Sequence, residues 1–169
     1  MKRITSLLII SLASLTILAC EKSEPAQIPE PQKEEKEQPE ENNQNNNDMT
    51  KTLYITIGGV TKTATLVSNS STKSLLEQLQ KGDISYEAHD YGNFEKVGPL
   101  GYSFPENNSQ VTTEPGDVIL YQGSNLCIYY DKNSWNFTRI GKLDNMTQAE
   151  IKTWVKAGGG NVIVKLSLK

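Results

Sequence analysis

Five side chains downstream of residue 90 have types and spacings suited to gripping a ligand: Glu95, Tyr121, Tyr130, Trp135 and Arg139. Arg139 follows Trp135 and Phe137 at intervals of two, so in a regular strand its guanidinium projects to the same side as two large rings. A guanidinium placed there can clamp a carboxylate through its planar fork or stack on an aromatic ligand. The alternative is a structural ion pair with Glu95 or Asp117. Glu95 and Lys96 fall in a Gly-rich connection between aromatics, where polar side chains either line a pocket mouth or face water. Tyr121, Tyr129 and Tyr130 flank a hairpin and either line a groove or pack across strands.

Other chemistries find little support. His89 is the only histidine, and a Cys-His or Ser-His pair would have to recruit it across the fold. No His or Cys cluster has metal-ligand spacing, so no metal or other cofactor is expected. Gly158-Gly159-Gly160 reads as a helix stop without the lysine of a phosphate loop. Cys127, inside Leu126-Cys127-Ile128, reads as a small buried hydrophobe.

Cys20 has a different chemistry. Lys2 and Arg3 form a positive start, and Leu7 to Leu18 form an apolar stretch of signal-peptide length, too short to span a bilayer. It closes on Ile17-Leu18-Ala19-Cys20, which resembles the lipobox of bacterial lipoproteins, whose cysteine thiolate accepts a diacylglyceryl group. Residues 1–19 therefore read as a lipoprotein signal peptide and Cys20 as the lipidated first residue of the mature chain. The expected location is the bacterial cell envelope, anchored through the N-terminal lipid at the periplasmic or outer-surface side of a membrane. Once Cys20 is acylated, Cys127 has no disulfide partner. The sequons at Asn69, Asn107, Asn136 and Asn145 carry little weight beside a lipobox.

Residues 20–50 read as the lipidated cysteine plus a disordered acidic tether. Glu21 to Asp48 has nine acidic residues against Lys22, Lys33 and Lys36 and no aromatic, so it cannot bury enough apolar surface to offset its ordering entropy. Self-repulsion of its net −6 should keep it extended. Residues 51–169 hold every Trp, Tyr and Phe, enough for one domain with its own core. From Met49 onward 12 basic residues balance 11 acidic ones. Without a basic stripe to neutralise phosphates, nucleic acid is not an expected partner.

The elements that must position these residues follow from periodicity. Thr52–Ile57 and Val60–Val67 alternate apolar and polar around Gly58-Gly59, which predicts a hairpin. Asn69 caps a predicted helix carrying Leu75, Leu76 and Leu79, with Gly82 as its αL stop. Strands are expected at Ile84–Tyr91, Asp117–Tyr121, Leu126–Tyr130, Phe137–Lys142 and 162–168. Gly92–Thr113 reads as mostly irregular, with a short strand at Phe94–Val97. Thr147-Gln148-Ala149-Glu150 is a capping box leading a second helix. Seven or eight short strands with one-sided apolar patterns are best protected by closing into a barrel, its ends covered by the two helices.

Three blocks carry a resemblance. Asp90-Tyr91-Gly92-Asn93-Phe94-Glu95-Lys96-Val97-Gly98-Pro99-Leu100-Gly101, Pro115-Gly116-Asp117-Val118-Ile119-Leu120-Tyr121-Gln122-Gly123 and Asn133-Ser134-Trp135-Asn136-Phe137-Thr138-Arg139-Ile140-Gly141-Lys142-Leu143 look like the bacterial family of cyclophilin-like fold proteins. The resemblance implies a mainly β fold, a closed eight-stranded cyclophilin-like β-barrel with two capping α-helices. It does not imply isomerase activity, because folds are shared more widely than chemistries. Prolyl isomerisation faces a barrier of about 18–20 kcal/mol. Cyclophilins lower it with an arginine that polarises the prolyl amide in an aromatic pocket, carried in a Phe-His-Arg-type strand motif. Here His89 is followed by Asp90, and Arg139, the domain's only arginine, lies elsewhere. The expected function is a non-enzymatic envelope module that binds a small molecule or peptide. The alternatives are a divergent peptidyl-prolyl isomerase acting on exported proteins and a structural domain docking to another envelope protein.

Overall fold

The computed structural model describes residues 52–169; the expected signal peptide, Cys20 and the expected tether lie outside the described residues. β1 (Thr52–Ile57) turns at Gly58-Gly59 and returns as β2 (Val60–Leu66). The two glycines have φ of +57° and +79°, the pair of positive values that a two-residue type I′ turn requires. Alternation sends Leu53, Ile55 and Ile57 inward, each at most 2% exposed, and each such burial contributes about 1.5–3 kcal/mol.

α1 (Ser70–Leu79) begins where Asn69 accepts the Thr72 amide at 2.8 Å. It buries Leu75, Leu76 and Leu79 in the interior core. Gly82 follows the helix end at φ +155° rather than in the αL well expected of it. Then come β3 (Ile84–Tyr91), β4 (Glu95–Pro99), β5 (Ser109–Thr112), β6 (Asp117–Tyr121), β7 (Asn125–Tyr129), β8 (Ser134–Leu143), α2 (Gln148–Trp154) and β9 (Val162–Ser167). The Thr147/Glu150 capping box at the start of α2 is formed as expected.

Eight antiparallel strands run in the order β2-β1-β9-β3-β4-β7-β6-β8, and β8 closes the ring by pairing Gly141–Leu143 with β2. The fold is thus the expected closed eight-stranded barrel with two helices. The ninth strand, β5, lies outside the ring and pairs with Ser134–Phe137, ahead of the stretch of β8 that closes the barrel. The expectation of an irregular segment at Gly92–Thr113 missed β5. Its residues are polar and largely exposed, so no apolar alternation announces it, and pairing with β8 alone makes it a strand. The helices close opposite ends. α2 sits at the Gly58-Gly59 turn, where Trp154 donates Nε1–H to the Val60 carbonyl at 3.1 Å. At the other end, Asn69 of the α1 cap donates to the Arg139 carbonyl at 2.8 Å.

One irregularity in β8 bears on the site. Val118 pairs with Gly141 but Ile119 pairs with Arg139, leaving Ile140 as an extra residue, a β-bulge. Ile140 packs in the interior core, and Arg139 and Lys142, three apart, therefore both face outward.

Candidate functional site

Strands β6 and β7 are buried on both faces, which a simple one-sided barrel strand would not be. Their inward residues Val118, Leu120, Leu126 and Ile128 join the interior core. Their outward residues Ile119, Cys127 and Tyr129 build a second apolar cluster on the barrel's outer wall with Val97 of β4 and Phe137 of β8. Phe94, Val111 and Tyr121 pack against it. Val111 comes from β5, paired with Trp135, so the appended strand helps to build this wall.

Above the cluster lies a cleft of about 470 Å³ lined by Tyr91, Phe94, Glu95, Val97, Tyr121, Tyr129, Asn133, Trp135 and Phe137. Its volume is within the usual range for small-ligand sites, roughly 300–1,000 Å³. The rings form a connected series. Tyr91 meets Phe94 edge-on at 5.9 Å. Phe94 stacks on Tyr129 at 5.9 Å and 3°. Tyr129 meets Phe137 at 5.7 Å, and Phe137 meets Tyr121 at 6.3 Å. Trp135 and Tyr91 stand at the rim, 61% and 60% exposed.

Local backbone holds this arrangement. Gly92 and Asn93 take φ of +56° and +58° in the turn between β3 and β4, and a Cβ on Gly92 would lie 2.1 Å from the Phe94 ring. The Phe94 carbonyl accepts the amides of Tyr130 and Asp131 at 2.8 and 3.0 Å, tying this turn to the segment after β7. Asn133 is fixed by exchange with buried Thr113, its amide donating to Thr113 Oγ1 at 2.9 Å and its carbonyl accepting the Thr113 amide at 2.7 Å.

Glu95 is the one ionisable carboxyl among the lining residues. It is paired across the sheet with Tyr129 and only 5% exposed. Its Oε2 is fully buried with no aligned hydrogen-bond partner among the described residues, an arrangement that costs free energy unless a partner arrives. Burial pushes its pKa above the ordinary carboxylate value; the Tyr129 hydroxyl, the Cys127 thiol and His89 pull the other way and are outweighed. The same closeness, after burial, raises the Tyr129 hydroxyl and the Cys127 thiol. Cys127 is 1% exposed, a packed thiol in the wall.

Of the five candidates from the sequence, Glu95, Tyr121 and Trp135 come together in the cleft, and Arg139 and Tyr130 are not among its lining residues. Arg139 does face outward as parity implied, but its Nη2 donates to Oδ2 of fully buried Asp117 at 3.1 Å. Asp117 also accepts the Glu114 amide at 2.9 Å, and Lys142 Nζ sits 3.1 Å from its Oδ1 without hydrogen-bond alignment. The bulge at Ile140 allows both cations to reach the same carboxylate. Tyr130 points the other way from Tyr129, into the barrel, where its hydroxyl donates to Asp90 at 3.0 Å. Burial, with Asp90 beside it, pushes its pKa up to about 12. Lys96 likewise turns inward, fully buried, with Nζ 2.6 Å from Asp90. Tyr91, Phe94, Val97 and Asn133 are lining residues that sequence reasoning passed over. The signal for two of them was the Gly92-Asn93 pair between aromatics, a turn able to bring Tyr91 against Phe94.

Comparison with known proteins agrees with the barrel fold. The solution structure of the hypothetical protein AF2241 from Archaeoglobus fulgidus superposes with a TM-score of 0.53 at 16% identity, covering 71% of this chain and 95% of that one. McbB, solved in complex with tryptophan, superposes with a TM-score of 0.51 at 17% identity, covering 68% of this chain and 44% of its own, so the match spans under half of McbB. At these identities the likeness is one of fold. A search among curated proteins finds no match. Residues 55–167 match the cyclophilin-like family, and this chain belongs to it.

Proposed function

We propose that this protein is a lipid-anchored envelope protein whose barrel presents a ligand-binding cleft on its outer wall, held away from the membrane by the tether of residues 20–50. The observation that carries the binding reading is Glu95. A nearly buried carboxyl among aromatic lining residues, with no cation among them, is a standing cost that a bound ligand can relieve. Trp135 and Tyr91 at the rim supply apolar area to bury, and Tyr121 and Phe137 supply one wall. The anchor rests on Cys20 and the residues before it.

Binding is favoured over isomerisation because Arg139 is engaged by Asp117 and is absent from the cleft lining. An arginine held there has no path to polarise a prolyl amide in the cleft. The test combines a thermal-shift and NMR titration of residues 51–169 against small aromatic amino acids, tryptophan included, and Pro-containing peptides, with a coupled X-Pro isomerisation assay. Saturable shifts at Asn133 and Trp135 with isomerisation at the uncatalysed rate support the proposal. Isomerisation well above background would replace it with the enzyme reading, and no shift with any probe would leave the docking role.

A further inference from the structure

The charges around the cleft point to one class of ligand. The lining residues include six aromatic rings, one asparagine and one carboxylate, and neither a lysine nor an arginine. The nearby cations are committed elsewhere. Lys96, next to Glu95 in sequence, is turned into the barrel toward Asp90, Arg139 and Lys142 converge on Asp117, Lys132 pairs with Glu114 and Lys152 with Asp131. The cleft therefore offers a negative group inside a ring of π-faces, each of which is itself negative at its centre.

We infer that the cleft recognises an ammonium group on an aromatic body, with Glu95 as counter-ion and the rings of Tyr91, Phe94, Tyr129 and Trp135 as the cage. This rests on the binding reading above and narrows it. A cation over Trp or Tyr is stabilised by the ring quadrupole, more so when desolvated, and it supplies the positive charge that no lining residue offers Glu95. A ligand carboxylate, which Arg139 in the cleft would have welcomed, meets only Glu95 there and is repelled. Uptake of the cation also favours the ionised form of Glu95. The groups facing that carboxyl are Tyr91 and His89 from β3 and Cys127 and Tyr129 from β7.

The experiment uses three probes of similar shape: tryptamine, indole-3-propionamide and indole-3-propionate, titrated by calorimetry into the mature chain and its variants at pH 7.5. Tryptamine is expected to bind at least tenfold more tightly than the amide, and the propionate weakest. Glu95→Gln should erase the advantage of tryptamine over the amide, while Trp135→Ala, at an exposed position, should weaken both. N-acetyl-lysine methylamide serves as the aliphatic arm; tighter binding of it than of tryptamine would overturn the aromatic part of the assignment. Equal affinity for all three indoles, or retention of the preference in Glu95→Gln, would overturn the ammonium inference and leave the binding cleft standing. No binding of any probe, alongside no response to the peptides above, would remove both.

Discussion

Glu95 and Lys96 are consecutive in β4 and both almost fully buried, yet they belong to different sites. Strand alternation sends Lys96 into the barrel, 2.6 Å from Asp90, and Glu95 to the outer wall, where its Oε2 stays unpaired. One of the two charges is committed to the fold, and the other lines the cleft.

Removing Lys96 should be costly. Lys96→Met leaves Asp90 and Tyr130 at the barrel end without their cation, and breaking one side of a buried pair typically costs about 3–5 kcal/mol. The Asp90 side chain is partly exposed, so the lower end is expected. Urea unfolding measures it, and Asp90→Asn combined with Lys96→Met should lose less than the two single changes summed. A Lys96→Met protein within 1 kcal/mol of wild type would show that the pair supports nothing.

Glu95→Gln should stabilise the ligand-free protein at neutral pH. Burial holds the Glu95 pKa above its unfolded value of 4.5, so the native state binds this proton more tightly than the unfolded chain. The resulting stability is fully present below the unfolded pKa and is lost as pH rises through the native one. Glutamine removes that loss, with a gain on the order of 1–3 kcal/mol, the cost of an unsatisfied buried polar group. The gain should shrink to nothing below about pH 4. Melting curves of both proteins across pH 4–8 check the sign.

Arg139→Ala should weaken the fold modestly and leave cleft binding intact. The guanidinium is partly exposed and Lys142 remains beside Asp117, so a loss of roughly 1 kcal/mol is expected for this charge-assisted bond. Asp117→Ala should cost more, roughly 3 kcal/mol, because it strands both cations and the Glu114 amide. Loss of ligand affinity in Arg139→Ala at unchanged melting temperature would contradict the placement of Arg139.

Gly92→Ala tests the turn that seats Phe94. The added methyl meets the ring at 2.1 Å and the backbone at φ +56°. Destabilisation of roughly 1–3 kcal/mol is expected from the strained φ alone. NMR shifts of Tyr91 and Tyr129 should report the displaced ring.

Cys20→Ser tests the anchor. Cells fed radiolabelled fatty acid should label the wild-type chain and not the variant, and the variant should leave the membrane fraction. Label that survives the substitution would refute lipidation at Cys20.

The local elements were legible because each is driven by its own pattern. The Gly58-Gly59 hairpin, the Asn69 cap, β3 and the Thr147/Glu150 box all appear where the sequence predicts them. For the site, the aromatic character of Tyr121 and Trp135 and the charge of Glu95 were readable, but their convergence was not. β5 carries no apolar alternation, so only its pairing with β8 reveals it. Parity correctly turned Arg139 outward with Phe137, but only the assembled barrel brings Asp117 of another strand, and Lys142 by way of the bulge at Ile140, to its guanidinium.

Residue type and spacing within a few positions were enough for the short-range hairpins, caps and helices and for the expectation of an export signal ending at Cys20, while the closed-barrel class followed from the whole set of strands and the family resemblance. The tertiary structure alone decided which face of β4 each of Glu95 and Lys96 serves, that Arg139 is taken by Asp117, and that six rings from four separate segments enclose one carboxylate. Those outcomes depend on register between strands far apart in the chain, and a one-residue change of register would exchange every inward side chain for an outward one.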